Sequence, residues 1–187
     1  MSRLVILNGP PAAGKSTLAR LYVADHSLAL NLDIDRIRDL LGGWRRTPGE
    51  AGLAARAIAL VAARAHLERG YDVVIPQLVG QVGFLEQIED VAGATGAEFH
   101  EIVLLDTREN TLRRFEERTR AAAEAAHVDA AQAIADDPDA VGRYFDTLVA
   151  VLPQRPRAVV LATKTGNIDR GYADLLAALE AKPPTPA

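Results

Sequence analysis

From Gly9 the chain reads Gly-Pro-Pro-Ala-Ala-Gly-Lys-Ser-Thr, and Gly9 to Ser16 satisfies the pattern G-x-x-x-x-G-K-[ST] at every fixed position. That pattern, placed between a strand and a helix, is the sequence of a loop whose backbone N–H groups cradle phosphate. The residues expected to wrap the phosphates are Gly9, Pro10, Pro11, Ala12, Ala13, Gly14, Lys15, Ser16 and Thr17. Lys15 is placed to reach the β- and γ-phosphates and the Ser16 hydroxyl to ligate Mg²⁺, while the helix that follows adds its partial positive charge. The implied ligand is a nucleoside triphosphate. A second pair of reactive groups, Asp33 and Asp35, stands two residues apart just beyond another apolar run. One carboxylate could accept the proton of an attacking hydroxyl and the other could hold a magnesium-bound water. Acids at a helix start also serve as N-cap and first-turn residues, and both roles can coexist.

The elements that must position these groups alternate between strand and helix. Leu4 to Leu7 is a short apolar run bounded by Gly-Pro, as in a buried parallel strand, and amphipathic spacing continues through Leu18, Leu21 and Tyr22 to Asp25-His26. Leu28 to Leu32 reads as a second strand, and Ile37, Leu40 and Leu41 as a helix stopped by Gly42-Gly43. Thr47-Pro48-Gly49-Glu50 is a helix start, with Thr47 as N-cap; the alanine-rich helix runs to about Arg69 and stops at Gly70. Further strands are predicted at Tyr71 to Ile75, Phe99 to Leu105 and Ala158 to Leu161, with helices at about Val82 to Ala92, after Asp106, from Asp137-Pro138 to Leu152, and at about Tyr172 to Leu179. Residues 121–135 are alanine-rich and weakly patterned, with Asp129 a possible cap. The alternation predicts a parallel sheet covered on both faces, with chemistry at the carboxyl ends of its strands.

Composition narrows the function classes. At 187 residues one domain is the default, spanning residues 1–181 with a loose proline-rich tail at 182–187. There is no cysteine, which removes disulfides, thiolate zinc sites and cysteine catalysis. His26, His66, His100 and His127 show no ligand spacing. A net charge of −4 and 5% aromatics argue against a nucleic-acid partner. No apolar stretch reaches membrane-spanning length and no signal peptide is visible, so a cytoplasmic protein is expected.

Phosphate loop, strand, acidic pair and arginine together resemble the small P-loop kinases, the AAA-type ATP-binding enzymes that phosphorylate hydroxyl groups. Polynucleotide 5′-kinases, zeta toxins, chloramphenicol phosphotransferase and gluconate kinase-like enzymes belong to that group. The stretch Asn31-Leu-Asp-Ile-Asp35-Arg-Ile-Arg38 is similar to the polynucleotide-kinase segment with an aspartate base and an arginine three residues on. The resemblance implies Asp35 as base and Arg38 as phosphate clamp, which would leave Asp33 for the magnesium side, and Asp33-Ile-Asp35 also looks like the zeta-toxin pair. It implies a P-loop NTPase fold, an α/β three-layer αβα sandwich with a parallel sheet of about five strands and a helical lid at about residues 114–143. Arg114 and Arg118, four apart on one helix face, resemble lid arginines that close over the triphosphate and meet its transferring charge. Glu116, Glu117 and the other arginines of that helix could equally make a solvated ion-paired face.

Three places depart from the pattern or stay open. Related kinases often end the third strand with a magnesium-binding aspartate, and here the end is Ile75-Pro76-Gln77. Glutamine offers no charge to a cation, so Mg²⁺ would depend on Ser16, Asp33 and nucleotide oxygens; Gln77 and Gln81 either line an acceptor pocket or cap the loop. Trp44, beside Arg45 and Arg46, is either an acceptor-pocket wall or a core plug, the commoner role of a lone tryptophan after a helix. Thr163 to Asn167 lacks the guanine-reading Asn-Lys-x-Asp, which favours ATP over GTP. The expected activity is transfer of the ATP γ-phosphate to a hydroxyl of a small molecule. The alternatives are a polynucleotide 5′-hydroxyl kinase, or a nucleotide-binding or ATPase module without an acceptor; the oligomeric state is not readable.

Overall fold

Leu4, Val5, Ile6 and Leu7 are all fully buried, because the strand they form, β1 (Arg3–Asn8), lies in the middle of a sheet covered on both faces. The computed structural model describes residues 1–120, 139–163 and 167–181. Its sheet has five parallel strands in the order β2-β3-β1-β4-β5, with β2 at Leu30–Asn31, β3 at Val73–Pro76, β4 at Glu98–Leu105 and β5 at Val159–Ala162. Alternation along the strands sends Leu4, Ile6, Val73 and Ile75 to one apolar cluster and Val5, Leu7, Val74, Ile102 and Leu104 to another. Helices α3 (Pro48–Leu67) and α4 (Val82–Thr95) cover the first face. Helix α1 (Lys15–Asp25) and the last helix, α7 (Ile168–Glu180), cover the second. This is the α/β three-layer P-loop architecture that the sequence predicts.

Three further helices stand at the carboxyl ends of the strands. Helix α2 (Ile34–Asp39) follows β2, α5 (Arg108–Arg120) follows β4, and α6 (Ala140–Val151) packs on α5 through Phe115, Ala140 and Val141. Most of the expected lid, with Asp129 and Asp137-Pro138, lies at residues 121–138, outside the described residues, as do residues 164–166 and the tail at 182–187.

Element boundaries move for identifiable reasons. The second strand is expected from Leu28, but Leu28 has φ 59 and turns the chain, so pairing begins only at Leu30. Pro76 belongs to β3 rather than ending it before; β2 stops opposite Val74, so no neighbour on that side asks Pro76 for an N–H. A 3₁₀ turn at Trp44–Arg46 fills what reads as loop. Thr47 precedes α3 without a side-chain capping bond, which leaves the expected capping box unformed.

Candidate functional site

The loop between β1 and α1 closes on itself through backbone bonds. The Ala13 N–H donates to the Pro10 carbonyl at 3.3 Å, and Gly14 starts α1 in a left-handed conformation at φ 94. Gly9 is the position where glycine is obligatory: at φ 154 an added Cβ would stand 2.7 Å from the Leu104 carbonyl of β4. The strand–loop–helix context is therefore as expected from sequence, and the first turn of α1 brings Lys15, Ser16 and Thr17 to the loop.

Lys15 keeps some exposure as a residue, but its ammonium is the buried end and donates to the Gly9 and Pro10 carbonyls at 2.8 and 2.9 Å. Burial lowers its pKa to about 8. The nearby Asp35 is the strongest charge opposing that fall, Arg118 adds to it, and Asp33 opposes it more weakly. Lys15, Asp35, Asp33 and Arg118 thus share one electrostatic neighbourhood, although they come from three different helices and their caps.

Asp33 is the N-cap of α2, its Oδ1 accepting from the Asp35 N–H at 3.1 Å and the Arg36 N–H at 3.4 Å. Burial, reinforced by the Asp35 charge, pushes its carboxyl above the ordinary value despite these bonds. One oxygen is thereby committed to the helix, leaving Oδ2, 3.8 Å from Arg36 Nε, for a cation-bound water. Among the described residues no cluster of three or more metal-ligating side chains occurs. A magnesium ion suits such a site only when nucleotide oxygens complete its shell beside Ser16 and Asp33, which is the habit of a hard, water-retaining cation.

Asp35 sits in the first turn of α2 and is paired with Arg38, whose Nη1 is 3.0 Å from Oδ1. Arg38 also approaches Asp39 at 3.6 Å, and its guanidinium lies 4.4 Å from the centroid of the Trp44 ring. Arg45 lies over the same ring at the same distance. Trp44 therefore corresponds to neither sequence reading in full: it is half-buried, outside the main apolar clusters, and holds two cations. The Arg38 Nε is buried without a hydrogen-bond partner, as is the Gln77 Oε1. Gln77 donates its backbone N–H to the Leu7 carbonyl at 3.1 Å, which sets it beside the end of β1. Gln81 accepts from Arg56 Nη1 at 2.7 Å and is engaged with α3.

The two arginines of α5 have separate surroundings. Arg118 is exposed and its charge is felt at Lys15. Arg114 lies instead, partly buried, between the ends of β4 and β5, bonded through Nη2 to Asp106 Oδ2 and the Thr163 carbonyl and through Nη1 to Thr163 Oγ1. Thr107 caps α5, its Oγ1 accepting from the Asn110 N–H at 3.2 Å, while Asp106 accepts from the Thr107 N–H and Asn110 Nδ2. Burial tends to raise the Asp106 carboxyl, and the Asn110, Thr107 and Arg114 donors outweigh it and hold the pKa low.

Asn8 is the residue that sequence reasoning passed over. It is fully buried, its Oδ1 accepts the N–H groups of Gly9 and Val79, both at 2.9 Å, and its Nδ2 donates to the Val79 carbonyl at 2.9 Å. One side chain thereby ties the start of the phosphate loop to the segment after β3. The available signal was an amide at the end of an otherwise apolar strand, where a buried polar group must have partners.

The family model of the AAA domain matches residues 4–138 of the chain. A protein of Chloroflexus aurantiacus J-10-fl described as a candidate kinase superposes with a TM-score of 0.67 at 16% identity, covering 96% of each chain. The APS kinase CysC of Mycobacterium tuberculosis, solved with AMPPNP and APS, gives 0.61 at 21%, covering 96% of this chain and 98% of that one. A chain of the Pnkp1/Rnl/Hen1 RNA repair complex gives 0.56 at 17%, covering 82% of this chain and 46% of that one. At these identities the likeness is one of fold. No curated protein is close enough in sequence to count as a match.

Proposed function

The chain belongs to the AAA-domain family matched over residues 4–138, and on that premise we propose that it is a kinase transferring the γ-phosphate of ATP to a hydroxyl of a small molecule. What supports this reading is the phosphate loop gathered on the Lys15 ammonium, 2.8 and 2.9 Å from the Gly9 and Pro10 carbonyls, with Asp35 in the first turn of the helix that follows β2 and in the same electrostatic neighbourhood. A phosphate-binding lysine and a carboxylate across from it are what an in-line attack by a hydroxyl needs.

In this mechanism the loop amides and Lys15 hold the β- and γ-phosphates, Lys15 exchanging its two carbonyl partners for phosphate oxygens. Ser16 and Asp33, with nucleotide oxygens, would hold magnesium, which when bound would neutralise phosphate charge. Asp35 orients the acceptor hydroxyl and takes its proton late in the transfer. Arg38 fixes the Asp35 carboxylate through the 3.0 Å pair and is itself steadied on Trp44. Arg118 meets the charge that spreads over the transferring group. Arg114 is assigned to holding the β4 and β5 ends together rather than to the phosphates. Among the described residues no helix is long and apolar enough to cross a membrane, and an ATP-consuming kinase of this kind fits the cytoplasm.

The test is a mass-spectrometric screen of metabolite and antibiotic mixtures incubated with the protein, Mg²⁺ and ATP. A product heavier by one phosphoryl group, absent with Lys15→Ala, is the expected result. ATP consumption with no phosphorylated product would support an acceptor-less module instead. A second reading, a polynucleotide 5′-hydroxyl kinase, is favoured by the Asp35–Arg38 pair and by the neighbouring Arg45 and Arg46. Label appearing on an oligonucleotide 5′ end would select it.

A further inference from the structure

Helix α3 is apolar on two opposite sides, and the larger side chains are on the wrong one for a helix packed only on its own sheet. The buried side is Ala51, Ala55, Ala59, Ala63 and Leu67, one residue every turn. The solvent side carries Leu53 at 67% exposure, Ile58 at 46% and Val61 at 70%, with Ala54, Ala57 and Ala65 between them. A helix that is apolar around its circumference is ordinarily covered on both sides. The exposed side also ends in opposite charges, Glu50 toward the N-terminus and Arg64 toward the C-terminus, both exposed.

We propose that this side of α3 is the isologous interface of a homodimer, formed by two α3 helices crossing antiparallel at Ala57. A two-fold axis there pairs each residue with the one equally far on the other side of Ala57 in the second copy. Leu53 then meets the second copy's Val61, Glu50 meets its Arg64, and both contacts occur twice. The small residue at the crossing point allows the helices the close approach of a packed pair, about 8 Å between axes. No heterologous partner is needed to explain why large apolar groups and complementary end charges share one face, since the face complements itself. From Glu50 to Arg64 the contact is about 21 Å long, and with one helix of width it buries on the order of 1,000 Å² in total, near the lower bound of specific interfaces. The dimer is accordingly weak and concentration-dependent. It stands independently of the proposed phosphotransfer.

Sedimentation velocity of the full chain from about 1 to roughly 300 µM at low ionic strength tests this, with far-UV circular dichroism and thermal melts confirming that each surface variant is folded. The wild-type chain is expected to shift from monomer toward dimer across that range, and Val61→Glu to remain monomeric. Glu50→Arg and Arg64→Glu each place like charges opposite one another twice and weaken the dimer about tenfold, and the double swap restores it to within about threefold. A wild-type chain that is monomeric throughout overturns the proposal. So does a dimer that survives Val61→Glu, or single swaps that the double swap fails to rescue.

Discussion

Nucleotide binding is expected to fail in base because Lys15 loses its proton earlier than an ordinary lysine. Its pKa in the free protein is about 8, and a triphosphate seated against it restores the proton by direct Coulomb attraction. Below about pH 8 the ammonium is present before and after binding, so affinity is flat. Above it, each pH unit removes the binding-competent form about tenfold, or about 1.4 kcal/mol. Raising the pH from about 7 to about 9 should weaken ATP binding roughly tenfold, with about 0.9 proton taken up per nucleotide bound at the higher pH. The residues around Lys15 set the position of the break. Removing Asp35 charge moves it to lower pH, and removing Arg118 charge moves it to higher pH. Isothermal titration calorimetry in buffers of different ionisation enthalpy reads both affinity and proton uptake. An affinity unchanged to about pH 9.5 with no proton uptake would refute the reasoning, because a lysine at its ordinary pKa behaves that way.

Asp35→Asn should leave ATP affinity near neutral pH within about threefold while the rate of transfer to the acceptor falls by about 10²–10⁴, the usual contribution of a positioned base; rapid-quench kinetics separate the two, and full activity would remove Asp35 as base. Asn8→Leu strands two buried N–H groups and a carbonyl at the loop junction, and urea denaturation should register a loss of about 3–5 kcal/mol. Asp106→Asn should lower stability by about 1–3 kcal/mol at neutral pH, with a defined pH signature. The folded carboxyl titrates below its unfolded value, so its contribution is complete above about pH 4 and is lost as pH falls through the folded pKa. The wild-type and variant denaturation curves should therefore converge in acid; a gap of constant size would contradict that assignment.

The parts of the molecule legible in the sequence are those where local pattern and tertiary role coincide. β1 is apolar from Leu4 to Leu7 because both its faces are covered, and Gly9 of the phosphate loop answers to a backbone requirement, since an added Cβ there would stand 2.7 Å from the Leu104 carbonyl. Asp33 was readable as an N-cap because Asp at a strand-to-helix junction satisfies helix N–H groups whatever else it does. Arg114 was not readable: its position on the helix face is the same as that of Arg118, and only the approach of β4 to β5 brings Asp106 and Thr163 within its reach. Asn8 escaped for a similar reason, since its partner Val79 is seventy-one residues away in sequence. The face of α3 misleads in the opposite sense. Its alanines read as an ordinary helix, and only the fold decides which side meets the sheet and leaves Leu53 and Val61 in solvent.

The proposal of a triphosphate held before Lys15 with Asp35 opposite is tested most directly by a crystal structure with a non-hydrolysable ATP analogue and Mg²⁺. The terminal phosphate is expected within about 3 Å of Lys15 Nζ, with the Asp35 carboxylate across a gap that admits one hydroxyl oxygen. A saturated crystal whose phosphates lie away from the Gly9-to-Thr17 loop, or whose Asp35 points away from the terminal phosphate, would contradict it.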